Sequence, residues 1–126
     1  MNQDERIRVE DVMSTPLETI SRNATAADAA DAMRNEDINA LVVTTDPPSI
    51  VTSTDILGVA ADGKAPDEVH VADVMTESVE TVPPDLYLEE VAAMLTTFGI
   101  KHLPVVEGDD EYVGMISSTD VAAQLS

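Results

Sequence analysis

The 126-residue sequence has no cysteine and no tryptophan, and aromatic residues make up only 2% of it. The absence of cysteine excludes disulfides, thiolate metal sites and cysteine nucleophiles. A core must therefore be built from aliphatic side chains and methionine, and a hydrophobic content of 44% is sufficient for one. No apolar run approaches the length of a membrane span, and the first residues do not resemble a signal peptide. We expect a soluble, cytoplasmic protein.

Basic residues are also scarce. Only 6 lysines and arginines stand against 25 aspartates and glutamates, which gives a formal net charge of −19. Such a field repels nucleic acid and anionic lipid, so we expect no nucleic-acid partner and no membrane partner. The acidic residues are scattered along the chain, which is typical of proteins from halophiles, since at about 1 M salt the screening length is only about 3 Å. A haloarchaeal or otherwise halophilic source is expected, and an acidic mesophilic protein is the alternative.

The sequence contains an internal duplication. Asp11-Val12-Met13-Ser14 recurs as Asp73-Val74-Met75-Thr76, and Ser53-Thr54-Asp55 recurs as Ser118-Thr119-Asp120. A unit of about 60 residues is marginally stable alone, because it buries too little of its surface. We therefore expect the two repeats to pack as one module with pseudo-twofold symmetry and a cleft between them.

The hydrophobic pattern predicts the same order of elements in each repeat, namely β-α-β-β-α, so the fold class is α+β (mixed α/β). Repeat 1 spans residues 7–61, residues 62–68 form a linker, and repeat 2 spans residues 69–126. The predicted elements are extended segments 17–20 and 79–82, helices 26–35 and 86–97, strands 40–44, 50–52, 102–106 and 112–117, and final helices from Asp55 and Asp120. Gly108-Asp109-Asp110 predicts a hairpin turn.

The most specific local motif is a strand, then Thr/Ser-x-x-Asp, then a helix, found at Thr52–Asp55 and Ser117–Asp120. It is a capping box, in which the hydroxyl and the acid satisfy backbone donors at the helix start. The same geometry suits a phosphate, because a helix N-terminus offers free N–H groups and the positive end of its dipole. A carboxylate there can also accept hydrogen bonds from two ribose hydroxyls. The two interpretations are compatible.

With these motifs the chain resembles a tandem CBS-domain pair (a Bateman module), named for the regulatory domains of cystathionine beta-synthase. The resemblance covers about residues 7 to 125, nearly the whole sequence. It rests on the order, spacing and duplication of the matching segments, which are 11–14 and 73–76, 50–57, 99–106 and 114–120.

The resemblance implies two clefts that bind adenosyl ligands. Thr52 and Ser117 would touch phosphate, and Asp55 and Asp120 would hold the ribose. The family pattern also implies that Ile20 and Val82 would contact the adenine. It further implies that His102, with Lys101 beside it, would contact phosphate.

The first repeat departs from this pattern. Asn39-Ala40 replaces Lys101-His102, which removes a cationic pair, and Ser49 stands where the second repeat has Gly114. The cleft served by Ser117 and Asp120 is therefore expected to be the better nucleotide site.

The sequence predicts no catalytic site, because it has no P-loop, no nucleophile elbow and no histidine beside a plausible serine. We also expect no metal site, since there are only two histidines and no regularly spaced carboxylate loop.

The resemblance implies a stand-alone, non-catalytic regulatory module. It would bind AMP, ADP, ATP or S-adenosylmethionine in the cleft between the repeats and signal by conformation or dimer state. The net charge of −19 favours AMP or a cationic adenosyl ligand over ATP, unless Mg²⁺ or high salt offsets the repulsion. A homodimer and an unknown effector protein are expected. The alternative is a scaffold that binds no ligand and acts through protein–protein contacts.

Overall fold

The computed structural model describes residues 6–15, 17–77, 79–108 and 111–125. The chain forms two compact units. We call Glu18–Val79 the central unit, and Met1–Leu17 together with Glu80–Ser126 the terminal unit.

The compact units differ from the repeats in the sequence. Residues 7–17 of the first repeat belong to the terminal unit, and residues 69–79 of the second belong to the central unit. The boundaries 7–61, 62–68 and 69–126 therefore describe the duplication, whereas each unit combines most of one repeat with the first residues of the other. Part of the predicted linker forms a 3₁₀ turn, Pro66–Glu68, in the central unit.

The order of elements follows the prediction closely. In chain order they are α1 (Val9–Val12), β1 (Thr19–Ile20), α2 (Ala26–Glu36), β2 (Ala40–Val43), β3 (Ser49–Thr52), α3 (Ser53–Ala61), 3₁₀ turns Pro66–Glu68 and Val71–Asp73, α4 (Leu88–Phe98), β4 (His102–Glu107), β5 (Glu111–Ser117) and α5 (Ser118–Leu125).

The central unit contains a three-stranded sheet in the order β1-β2-β3, with β1 parallel and β3 antiparallel to β2. Strand β2 lies in the middle of the sheet, and all four of its residues are buried, as expected of a strand covered on both faces. Helix α2 is capped at its start by Thr25, whose hydroxyl accepts a hydrogen bond from the Asp28 N–H, and at its end by Asp37, which lies in the left-handed region with φ 56°. The aliphatic core that was predicted is confirmed here by Leu41, Val43 and Val51.

The terminal unit contains the antiparallel pair β4–β5, packed with α4, α5 and the short helix α1. Its core includes Val9 from α1 as well as Leu88, Leu103 and Ile116. Gly108 has a positive φ of 69° after β4, and the predicted β4–β5 hairpin pairing is confirmed. Asp109 and Asp110 of the predicted turn lie outside the described residues.

Two details of the prediction were wrong. Residues 79–82 form no strand, and Val82 makes only an isolated parallel bridge to Val105. Pro83 and Pro84 follow at once, and because proline has no N–H, neither can extend the ladder. The helices predicted from Asp55 and Asp120 begin two residues earlier, at Ser53 and Ser118, immediately after the strands end.

The mixed α+β architecture is confirmed. Among the described residues, no helix is both long and apolar enough to cross a lipid bilayer.

Candidate ligand-binding site

The junction between β5 and α5 places Ser117 and Asp120 in direct contact. The Ser117 N–H donates to Asp120 Oδ2 at 2.9 Å, and the Asp120 N–H donates to Ser117 Oγ at 3.2 Å. This reciprocal pair is a capping box, and it fixes the hydroxyl and the carboxylate at the start of one helix. Both side chains remain half-buried rather than enclosed.

The junction between β3 and α3 repeats this arrangement. The Thr52 N–H donates to Asp55 Oδ2 at 2.8 Å, the Thr52 hydroxyl donates to the same oxygen at 3.1 Å, and the Asp55 N–H lies 3.4 Å from Thr52 Oγ1. The capping interpretation of the duplicated motif is therefore confirmed in both copies. The ligand-contact interpretation stays a prediction for both.

Strand pairing brings His102 to the same place as Ser117. The two residues lie directly opposite each other in the β4–β5 ladder, and the Lys101 carbonyl accepts a hydrogen bond from the Ser118 N–H at 2.9 Å. The terminal unit thus gathers four of the predicted site residues around the start of α5. In the central unit Ala40 lies opposite Thr52, so no ionisable side chain occupies the position matching His102.

The charge of His102 differs from the expectation of a cationic pair. Partial burial lowers the pKa of His102 below its usual value of 6.5, the neighbouring Lys101 lowers this pKa further, and Asp120 opposes the shift. Burial therefore favours the neutral form of the imidazole. Lys101 is exposed and supplies the positive charge of the pair alone.

The predicted adenine contacts lie farther along the sheets. Ile20 pairs with Val43, and Val82 pairs with Val105, in each case three residues along the strand from Ala40 or His102. At about 3.3 Å per residue, this separation is about 10 Å. A ligand that reached from the helix start to this position would have to lie extended along the strand.

Val82 offers little surface to a ligand. Its side chain is 2% exposed, its N–H donates to the Pro104 carbonyl at 3.1 Å, and its carbonyl accepts from the Val106 N–H at 2.9 Å. The more accessible neighbours are the half-buried Thr81 and the exposed Glu80, which the sequence did not single out.

Gly114 and Ser49 occupy matched strand positions with different surroundings. A Cβ on Gly114 would lie 2.8 Å from both Met13 Sδ and the Ser14 carbonyl oxygen. Ser49 is 1% exposed, and its hydroxyl lies 2.6 Å from Thr45 Oγ1. The difference between glycine and serine at these matched positions therefore coincides with the close approach of Met13 and Ser14 to strand β5 at Gly114.

A pocket of about 540 Å³ lies within the central unit, beside Asp55. It does not include Thr52, Ile20 or Ala40. Charged residues on its wall are mostly acidic, namely Asp55, Asp62, Glu68 and Asp73, with Lys64. Over the described ranges no three histidine or acidic side chains are grouped as a metal would require.

Comparison with known families decides the identity of the repeated unit. Residues 9–62 and 71–126 each match the CBS domain. The chain belongs to the CBS-domain family. CBS-domain pairs are regulatory modules, so the expectation of a regulatory module is confirmed.

Relatives of this CBS-domain pair have varied architectures. An uncharacterized protein of Methanopyrus kandleri is 30% identical over 119 residues, which is 91% of this chain and 61% of that protein. A homoserine O-acetyltransferase of Methanococcus vannielii is 28% identical, and the match covers 90% of this chain but 24% of the enzyme. The chain thus spans about three fifths of the first relative and about a quarter of the second.

Solved structures share the fold. A hexameric CBS-CP12 protein from bloom-forming cyanobacteria is 30% identical with a TM-score of 0.91, over 98% of this chain and 75% of that one. The CBS-domain pair of protein MJ0100, in complex with 5′-methylthioadenosine and S-adenosyl-L-methionine, is 27% identical with a TM-score of 0.82, over 94% of this chain and 95% of that one.

Proposed function

We propose that this CBS-domain pair is a non-catalytic regulatory module that binds an adenosyl ligand at the β5–α5 junction of the terminal unit. The observation that supports this most is the grouping of Ser117, Asp120, His102 and Lys101 around one helix start. A solved relative with the same fold is a complex with two adenosyl compounds.

Each group at the junction has a chemical role in the proposal. The first turn of α5 supplies the positive end of the helix dipole to an electron-rich part of the ligand, since its Ser118 and Asp120 N–H groups already donate to Lys101 and Ser117. Asp120 Oδ2 accepts from the Ser117 N–H, and the same carboxylate accepts hydrogen bonds from the ribose hydroxyls, because an ionised acceptor forms stronger bonds than a neutral one. His102, opposite Ser117, provides a neutral imidazole that donates or accepts a single hydrogen bond.

The charge of the protein selects among adenosyl ligands. Lys101 is exposed and His102 is neutral, so this junction has no buried cation to neutralise a polyphosphate. A net charge of −19 adds a repulsive field that acts on ATP most strongly and attracts a cationic sulfonium. The proposed order of affinity is therefore S-adenosylmethionine, then AMP, then ATP without Mg²⁺.

The matching junction of the central unit is proposed as the weaker site. Thr52 and Asp55 keep the capping geometry, but Ala40 and Asn39 replace the imidazole and the lysine. Because of this difference, we expect the two sites to have unequal affinities for the ligand.

The test is calorimetric titration with S-adenosylmethionine, AMP and ATP in concentrated KCl. Wild type is compared with Asp120→Asn and with the matched variant Asp55→Asn. The proposal expects Asp120→Asn to weaken the tighter site at least about tenfold, or about 1.4 kcal/mol, and Asp55→Asn to leave it unchanged. Binding that Asp120→Asn leaves intact would contradict the assignment. If none of these ligands binds, the scaffold alternative is favoured.

We also propose that the protein forms a homodimer and that an effector protein recognises its conformation or dimer state. Leu57 on α3 is 69% exposed and Phe98 at the end of α4 is 51% exposed, and large exposed apolar side chains are common at interfaces. The cyanobacterial relative is hexameric. Sedimentation of wild type, Leu57→Gln and Phe98→Gln tests this, and a wild-type monomer at all concentrations would contradict it.

A further inference from the structure

Gly114 lies against the backbone of a distant part of the chain. The Ser14 N–H donates to the Met115 carbonyl at 2.8 Å, and the Met115 N–H donates back to the Ser14 carbonyl at 3.1 Å. These two bonds hold residues 13–14 so close to β5 that a Cβ on Gly114 would lie 2.8 Å from Met13 Sδ. Side-chain Cβ atoms do not approach other atoms so closely, so any larger residue would displace this contact.

The segment that includes Met13 and Ser14 is anchored along its length to the terminal unit. Val9 is fully buried in the core of that unit, and the Arg8 guanidinium donates to the Asp85 carbonyl at 2.8 Å. Arg6 and Arg8 also lie over the Tyr87 ring, at 3.7 and 4.6 Å from its centroid. We call residues 6–15 the docked segment.

Strand β5 connects the docked segment to the ligand junction. Ser117 follows Gly114 by three residues, which is about 10 Å along an extended strand. Val105 pairs with Gly114 and Val106 pairs with Tyr112, so a bulge lies at this point of the ladder. Bulges bend a strand and change the direction of the side chains that follow. The docked segment, by contacting β5 at Gly114, therefore influences the positions of Ser117 and of the start of α5.

The matched position of the central unit shows that this close approach is not obligatory. Thr76 forms the equivalent bonds with Ile50, at 2.8 and 2.9 Å. Yet Ser49 occupies the position of Gly114, and its side chain is accommodated with a hydrogen bond to Thr45. The tight contact belongs to the terminal unit, which is the unit with the proposed stronger site.

We propose that Gly114 is a positioning residue for the adenosyl site, acting through the contact with Met13 and Ser14, and that ligand binding stabilises the docked segment. This rests on the function proposed above. Because coupling between two sites is reciprocal, a segment that holds β5 in the binding position is itself held more firmly when the ligand is bound. The docked segment is then the part of the terminal unit that reports occupancy.

Hydrogen exchange on the wild-type protein tests this coupling. The Ser14 and Thr76 amides are a matched pair, since both donate at 2.8 Å to a strand carbonyl. With S-adenosylmethionine as the probe, exchange at Ser14 is expected to slow at least about fivefold, while exchange at Thr76 changes less. Asp120→Asn should abolish the difference. Equal slowing at both amides, or none at Ser14 while the ligand binds, would overturn the inference.

A substitution gives an independent readout. Gly114→Ala is expected to weaken S-adenosylmethionine about tenfold, whereas Gly58→Ala, where a Cβ meets nothing within 4 Å, leaves the affinity unchanged. A Gly114→Ala protein that binds as wild type does would refute the positioning role alone. If wild type binds no adenosyl compound, the proposed function and this inference fail together. Should Gly114→Ala not fold, the exchange experiment on wild type decides.

Discussion

Asp120 Oδ2 accepts a hydrogen bond from the Ser117 N–H at 2.9 Å, so the carboxylate that is proposed to hold ribose also caps helix α5. The same atoms therefore stabilise the fold and form the candidate site. A simple truncation would change helix stability and ligand binding at once. An informative substitution has to keep the cap while altering the group that faces the ligand.

Ser117→Asp meets that requirement. Aspartate is as good an N-cap as serine, so the cap is kept, but its carboxylate lies beside that of Asp120, and like-charge repulsion should lower the free energy of unfolding by about 1 kcal/mol or more. The added carboxylate repels a phosphate at close range, by about 1–4 kcal/mol between water-like and surface dielectrics. AMP affinity should fall about tenfold or more while S-adenosylmethionine is much less affected, as calorimetry can measure.

Two controls separate capping from binding at this position. Ser117→Ala removes the cap and should cost about 0.5–2 kcal/mol in urea unfolding. Thr52→Asp makes the matched change in the central unit and should leave the tighter site as it was. Equal losses of AMP and S-adenosylmethionine in Ser117→Asp would argue against a phosphate or other anionic group near this hydroxyl.

His102 should make stability depend on pH. Burial lowers its folded-state pKa below 6.5, so the folded protein favours the neutral imidazole. The unfolded chain takes up the proton first, and stability present above about pH 6.5 is therefore lost as pH falls through the lowered folded pKa. His102→Gln should reduce this loss, measured as urea midpoints at about pH 7.5 and pH 5.5.

His70→Gln is the control, since His70 is an exposed histidine in the central unit. A His102→Gln protein with an unchanged pH profile would show that His102 has the same pKa in the folded and the unfolded chain.

The ends of α2 and α4 offer a matched pair for a test of backbone strain. Both caps are left-handed, with φ 56° at Asp37 and φ 67° at Gly99. A non-glycine residue in this region costs about 1 kcal/mol, so Asp37→Gly should raise the free energy of unfolding by up to about 1 kcal/mol, and Gly99→Ala should lower it similarly. Stabilisation by Gly99→Ala would contradict the assigned caps.

The halophilic origin that the composition suggests is tested by salt. A net charge of −19 destabilises the compact state through self-repulsion. At about 1 M salt the screening length falls to about 3 Å, so this repulsion is weakened. The melting temperature should rise steeply with KCl up to about 1–2 M, and much less with glycerol at matched osmolality. A melting temperature independent of KCl would count against adaptation to salt.

The repeated motifs made most of this fold predictable. The hydrophobic period located α2, α4 and the strand pairs within a residue or two, and the Thr/Ser-x-x-Asp spacing identified both capping boxes. Such features are local, because they depend on residues three or four apart. The failure at residues 79–82 is also local in origin, since Pro83 and Pro84 lack the N–H groups that would extend the strand.

Long-range features were less accessible. That residues 7–17 join the terminal unit, with Ser14 paired to Met115, depends on contacts about a hundred residues apart that no periodicity encodes. The neutral charge of His102 likewise depends on burial in the folded chain. A signal was present at Gly114, because a lone glycine in a strand indicates a close backbone approach, but the sequence does not name its partner.

The central claim is that the β5–α5 junction of the terminal unit holds an adenosyl ligand. A crystal structure of the protein grown with S-adenosylmethionine in concentrated KCl tests it most directly. The ribose hydroxyls should lie within hydrogen-bond distance of Asp120, with His102 and Ser117 in contact with the ligand. A ligand bound elsewhere, or at Asp55 alone, would contradict it.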